Sequence, residues 1–131
     1  MASDDQTREG GCACGAVRFT ARGKPLRAGL CHCMTCRKTH ASAFNAFAIF
    51  RADQVAISGE SASWKSSPEY DRHFCAKCGS GVFGRDGEEV ELSIGSFDTP
   101  GLFEPEYELW IGRREPWLAP LDVRQYESDR C

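Results

Sequence analysis

No apolar run in this sequence is long enough to cross a bilayer. The longest, Ala43 to Phe50, is interrupted by Asn45 and falls far short of the ~20 residues a spanning helix needs, so no membrane partner is expected. Positive charge is not in excess either. Sixteen Lys and Arg stand against 19 Asp and Glu, a net charge of −3, which offers no long-range pull towards phosphate backbones or anionic lipid. Nucleic acid is therefore not expected as a partner. Sustained helical periodicity is missing, which limits helices to short segments. The first ten residues carry Asp4, Asp5, Arg8 and Glu9 with no hydrophobic stretch. They lack the pattern of a secretory signal and are read as a disordered leader, residues 1–10. A cytoplasmic location is the resulting expectation.

What is present suffices for one domain, residues 11–131. With 131 residues, 41% apolar and 27% charged, the chain has the size and composition of a single globular unit. Val17, Phe19 and Ala21 alternate with Arg18, Thr20 and Arg22, the period of two that marks a half-buried strand. Phe44, Ala46, Ala48 and Phe50 fall on one face of the next segment and Asn45, Phe47 and Ile49 on the other, predicting a central strand covered on both sides. Val55 and Ile57 make a short strand ended by Ser58-Gly59. The Ser-rich stretch from Glu60 to Glu69 reads as a loop carrying Trp64. Val82-Phe83 and Val90 to Ile94 flank Arg85-Asp86-Gly87-Glu88, a hairpin signal. Tyr107, Leu109 and Ile111 continue the alternation, and the tail from Arg113 is expected to wrap the surface with Trp117, Leu118 and Leu121 as anchors. Short strands separated by turn signals point to an all-β fold.

Eight cysteines, about 6% of the chain, are fewer than the ~8–10% of a disulfide scaffold. Seven form tight groups: Cys12-Ala13-Cys14, Cys31-His32-Cys33-Met34-Thr35-Cys36 and Cys75-Ala76-Lys77-Cys78, with Cys131 alone. In a reducing compartment such spacing is a metal-ligand signal, because sulfurs from one turn converge on one ion. Gly15 and Gly79 follow the first and third groups, where a positive φ lets the chain turn around a metal. Seven sulfurs divide naturally as four plus three. Cys12, Cys14, Cys75 and Cys78 make a closed structural site, and Cys31, Cys33 and Cys36 an open one suited to chemistry. Two alternatives stay open: Cys33 and Cys36 with Cys75 and Cys78 as a zinc ribbon, or one site plus free thiols. Zinc with three thiolates carries a net charge of −1 and is a poor activator of water, but it suits a soft thiol ligand. A thiol bound there would remain a nucleophile towards a small aldehyde. The bland alternative is a fourth protein ligand and a stapled loop.

These motifs resemble a known family. Gly11-Cys12-Ala13-Cys14-Gly15-Ala16-Val17-Arg18-Phe19, the segment Cys31 to Lys38 and Phe74-Cys75-Ala76-Lys77-Cys78-Gly79-Ser80 are similar to the glutathione-dependent formaldehyde-activating enzymes, a family that includes centromere protein V. The resemblance extends from about Gly11 to Trp117. It implies a β-tent fold of the Mss4-like type, short antiparallel strands stapled by zinc. It further implies a structural zinc at Cys12, Cys14, Cys75 and Cys78, and a catalytic zinc at Cys31, Cys33 and Cys36. The implied activity is S-(hydroxymethyl)glutathione synthase, a carbon–sulfur lyase joining formaldehyde to glutathione reversibly. His40 departs from the small residue expected after the third cysteine of the middle group.

Among the remaining residues, His40 is a candidate proton donor or fourth ligand, with surface exposure as the alternative. His32 is expected to point away from the metal and pack, and His73 to be solvated or hydrogen-bonded. Arg37, Lys38, Arg51 and Lys65 are candidate partners for the carboxylates of a glutathione-like thiol; an ordinary charged surface is the alternative. Trp64, Trp110 and Trp117 are read as mostly core material, with the cover of a pocket as the alternative for Trp64, and Arg113-Arg114 as a solvated turn. The function reading is a two-zinc enzyme adding a thiol to an aldehyde; a non-catalytic zinc-stabilised interaction module stands second and a zinc-ribbon nucleic-acid binder last.

Overall fold

The structure is a computed structural model that describes residues 5–129; Cys131 lies outside the described residues. The strands are β1 (Thr7–Gly11), β2 (Arg18–Arg22), β3 (Arg27–Cys31), β4 (Asn45–Arg51), β5 (Val55–Ser58), β6 (Ser61–Ser67), β7 (Tyr70–Cys75), β8 (Gly81–Asp86), β9 (Glu89–Ser93), β10 (Tyr107–Leu109) and β11 (Arg124–Gln125), with one helix, α1 (Met34–His40). A three-stranded sheet runs β1-β2-β5 and an eight-stranded sheet runs β11-β10-β3-β4-β9-β8-β7-β6. The all-β expectation holds. Its antiparallel pattern is broken at one end of the larger sheet, where β10 pairs in parallel with both β3 and β11. No helix among the described residues is long and apolar enough to cross a membrane.

The central strand is the one its two apolar faces predict. β4 lies between β3 and β9. Ala48 and Phe50 join Val17, Phe19, Ala21, Val82, Val90 and Leu92 in a core between the two sheets, whereas Phe47 and Ile49 join Cys31, Cys36 and Tyr107 in a second cluster. Successive strand residues point to opposite faces, so β4 serves both cores. Phe50 is fully buried and meets Phe97 and Phe103, and burial of such a side chain stabilises by about 1.5–3 kcal/mol. The hairpin is also as expected: β8 and β9 pair from Phe83↔Leu92 out to Asp86↔Glu89, and Gly87 at φ 60° makes the turn.

Four expectations are corrected. The leader is structured from Thr7, because β1 pairs with β2 over its whole length and the Asp98 amide donates to the Glu9 carbonyl at 2.9 Å. Backbone hydrogen bonding and close approach hold it: a Cβ at Gly10 would lie 2.5 Å from the Phe19 ring. The Ser-rich stretch is not a loop but β6, an edge strand paired with β7 alone, and half-solvated edges need no apolar alternation. Trp117 and Leu121 do not anchor the tail, being 73% and 43% exposed. The tail is fastened instead by polar contacts: Arg37 Nη2 donates to Glu115 at 2.5 Å, and the Leu121 amide donates to Glu108 Oε2 at 2.7 Å. Trp64, at 44% exposed, is not core either.

Candidate metal centres

Cys12, Cys14, Cys75 and Cys78 meet at one point, their sulfurs all within 4.8 Å of one another. Each pair comes from a tight turn leaving a strand. After β1, the Cys12 amide donates to the Val17 carbonyl at 3.0 Å and Gly15 turns the chain at φ 83°. After β7, the Gly79 amide donates to the Cys75 carbonyl at 2.9 Å and Gly79 sits at φ 80°. Both glycines occupy the left-handed region that side chains disfavour. The Ala13 amide donates to Ser80 Oγ at 3.1 Å, joining the two turns. The cluster thereby clamps the smaller sheet to the larger one.

The sulfurs fit a tetrahedral soft cation. Cys12 and Cys14 sulfurs are 3.6 Å apart and those of Cys14 and Cys75 3.7 Å, against an edge of about 3.8 Å for four thiolates around zinc at ~2.3 Å. The Val17 amide aims at Cys12 Sγ from 3.2 Å and the Lys77 amide at Cys75 Sγ from 3.3 Å, second-sphere donors of the kind that support thiolates. The Val17 amide draws the Cys12 thiol down, and hydrogen bonds from Ser80 hold Cys78 at about 5. Cys14 rises to about 11: the Ala16 amide lowers it, but burial and the neighbouring sulfurs prevail. Four sulfurs this close resist joint ionisation unless a cation sits among them.

Cys31, Cys33 and Cys36 form the second cluster, again within 4.8 Å, and no His, Asp, Glu or further Cys among the described residues joins it. Cys31 ends β3. Cys33 caps α1, its sulfur accepting the Cys36 amide at 3.3 Å while its carbonyl accepts the Arg37 amide at 3.0 Å. The cap and the ligand spacing therefore arise from the same turn. Hydrogen bonds from Cys31 and Cys36 pull the Cys33 thiol down, whereas contacts with Cys33 and Cys36, and burial, push Cys31 up. Cys36 rises to about 12: the Cys31 contact lowers it, but Cys33 and burial outweigh that. Cys31 and Cys36 are buried and Cys33 half-buried, so the trio is open on one side.

That side is the wall of a cleft of about 600 Å³, whose lining includes Arg27, Tyr70, Arg72, Glu91, Tyr107 and Trp110, a volume in the range of small-molecule sites. Arg72 Nη2 lies 3.7 Å from Cys36 Sγ, its Nε donates to Ser66 Oγ at 2.9 Å, and its guanidinium covers the Tyr70 ring at 5.0 Å. Arg27 is held by Glu89 at 2.7 Å. Burial raises the Glu91 carboxyl above its usual range, opposed by Arg72. Tyr70 fits because Gly84 has no side chain: a Cβ there would fall 2.0 Å from the Tyr70 hydroxyl.

His32 points the other way, as expected. It is fully buried, and its Nε2 shares a 2.7 Å hydrogen bond with Glu108 Oε1. Glu108 also accepts from Gln125 Nε2 at 2.9 Å and lies 3.4 Å from Arg114. His73 is hydrogen-bonded to Ser61 Oγ at 2.9 Å and stacks on Phe83.

The other candidates are elsewhere. His40 does not join the trio; it lines a separate inner cavity of about 120 Å³ with Tyr70, Arg72 and Glu91, and burial lowers its pKa. Being four residues after Cys36 on α1 carries it past the cysteines rather than back to them. Arg37 is committed to Glu115 and to the Ala43 and Arg113 carbonyls. Lys38 faces Trp117 across a surface groove. Arg51 pairs with Asp53 at 3.1 Å and Lys65 with Asp71 at 2.9 Å. None of these four lines the cleft; nearness along the chain does not survive sheet pairing. Arg72 and Tyr70 replace them. No local pattern marks them, since strand order alone brings β7 to the cluster.

The sequence profile of the glutathione-dependent formaldehyde-activating enzymes matches residues 7–113. The chain belongs to this family. It is 29% identical over 136 residues to a putative glutathione-dependent formaldehyde-activating enzyme of Halomonas elongata, covering 94% of this chain and 85% of that one. It is 32% identical over 75 residues to an uncharacterized lyase of Schizosaccharomyces pombe, covering 57% of this chain and 55% of that one. A crystal structure of a Rhodobacter sphaeroides protein shares the fold, with a TM-score of 0.58 at 20% identity, covering 72% of this chain and 90% of that chain.

Proposed function

We propose that this protein is a zinc-dependent carbon–sulfur lyase of the cytoplasm that reversibly adds a glutathione-like thiol to formaldehyde or a similarly small aldehyde. The observation that supports this most directly is the three-cysteine cluster on the wall of an open cleft with no fourth protein donor. Cys12, Cys14, Cys75 and Cys78 hold one zinc that fastens the sheets, and Cys31, Cys33 and Cys36 hold a second. Zinc at the second site supplies acidity, favouring the thiolate form of an entering thiol. In the reaction a sulfur–carbon bond forms, the carbonyl π bond opens, and the proton lost by the thiol ends on the new hydroxyl; nothing is oxidised or reduced. The chain's own part is positioning: Cys33 presents the half-buried face of the cluster, and Tyr107, Trp110 and Tyr70 line the cleft beside it.

The test follows exchange between free and thiol-bound ¹³C-formaldehyde by NMR in the presence of glutathione, with purified zinc-loaded protein. Exchange faster than the spontaneous rate, abolished in Cys33→Ser with the fold retained, is the expected result. A rate equal to the protein-free control with every thiol tried would overturn the proposal.

A further inference from the structure

We infer that Arg72 is the specificity-determining residue of the cleft, the fixed cation that makes it select an anionic sulfur over a neutral donor; this rests on the reading of Cys31, Cys33 and Cys36 as an open metal site. A divalent ion with three thiolates already carries −1, and a fourth thiolate takes the assembly to −2. Electrostatics alone therefore favour a neutral fourth donor unless a positive charge is built in beside the sulfurs. Arg72 supplies one. Its Nη2 is 3.7 Å from Cys36 Sγ, on the cleft side of the trio. The side chain is also held there: Ser66 Oγ accepts from Nε at 2.9 Å, and the Tyr70 ring lies under the guanidinium. Tyr70 in turn occupies the space that Gly84 leaves.

Other cations of the cleft and of the same strand region are already engaged. Arg27 is paired with Glu89, and Lys65 with Asp71. Among the described residues Arg72 makes no ion pair with a carboxylate within 4.0 Å, although Glu91 faces it from β9 and contributes to the local field. The Cys36 sulfur, an anion once a metal is bound, lies 3.7 Å from it. The four-cysteine cluster makes the contrast: closed by protein sulfurs, it has amide donors around it and no guanidinium hydrogen bond among those described, Arg18 acting on Cys12 only through the longer-range field.

The experiment loads wild type, Arg72→Gln and Arg72→Lys with cobalt and titrates each with glutathione, 2-mercaptoethanol, azide and imidazole, following the thiolate and ligand-field absorption bands. The four-cysteine site's own bands report that each variant is folded. In Arg72→Gln, affinity for the thiols and azide is expected to fall roughly ten- to a hundredfold, given the Coulomb gain of one charge near 4 Å in partly solvated surroundings, while imidazole affinity is unchanged or rises. Arg72→Lys restores part of the loss. Equal thiol affinity in wild type and Arg72→Gln, or a parallel loss of thiol and imidazole, would overturn the inference. Wild type that binds azide and imidazole but no thiol would sink the proposed function and leave Arg72 to be judged on azide against imidazole; wild type that binds none of the four would sink both.

Discussion

Glu108 is the most exposed weak point of the fold in energetic terms, although it is among the most deeply buried residues. Its carboxylate takes donors from three directions: His32 Nε2 at 2.7 Å, the Leu121 amide at 2.7 Å and Gln125 Nε2 at 2.9 Å, with Arg114 at 3.4 Å. Glu108→Ala leaves the fully buried His32 donor without its acceptor and takes one partner from the part-buried Leu121 amide, Gln125 and Arg114, and breaking such a charged network costs about 3–5 kcal/mol. For a domain of this size that corresponds to a Tm lowered by about 10–20 °C. The loss also frees His32, which stands between two cysteines of the open cluster. Thermal unfolding of the zinc-loaded protein, with metal content measured at each site, checks both effects. Glu108→Gln separates packing from charge. Although burial opposes it, the hydrogen bonds from Gln125, His32 and Leu121 and the charge of Arg114 hold the Glu108 carboxyl below its ordinary value. Stability from a depressed carboxyl is fully present above the unfolded value of about 4.3 and is lost as pH falls through the lower folded value. The stability gap between wild type and Glu108→Gln should therefore narrow below about pH 4. Glu108→Ala within 1 kcal/mol of wild type, or a gap that does not change with acid, would refute the reasoning.

Cys78→Ser should lose the metal that joins the two turns and with it cooperative unfolding, whereas Cys33→Ser should keep the fold and lose only the second equivalent; metal analysis beside circular dichroism distinguishes the two. Gly84→Ala should destabilise by about 1–3 kcal/mol through overpacking and displace the Tyr70 hydroxyl, which a denaturant titration and the Tyr70 ring signals in NMR would register. Zinc removal by a chelator should release the smaller sheet first, so amide exchange in β1 should rise before that of β4.

Much of the architecture is written in apolar alternation. β2, β4 and the β8–β9 hairpin could be placed because burial repeats every second residue in them, and the metal clusters because ligand spacing is local. β1 and β6 could not: one is glycine-rich and held by backbone bonds and close packing, the other a serine-rich edge paired on one side. The cleft lining escaped for a different reason. Arg72, Tyr70, Arg27 and Trp110 come from β7, β3 and the end of β10, and only strand order brings them to Cys36. Arg37, Arg51 and Lys65 meet acidic neighbours of their own instead, and Lys38 lies on a surface groove.

The clamp between the sheets has a consequence for synthesis. Cys14 and Cys75 are 61 residues apart, so at ribosomal speeds of about 5–20 residues per second the first pair of thiols waits roughly 3–12 s for its mates. The middle trio emerges during that interval. With the ions held as proposed, capture of one by sulfurs of the first and middle groups would be the kinetically nearest wrong product in the nascent chain, and reaching the four-sulfur arrangement would depend on ligand exchange after the third group leaves the tunnel.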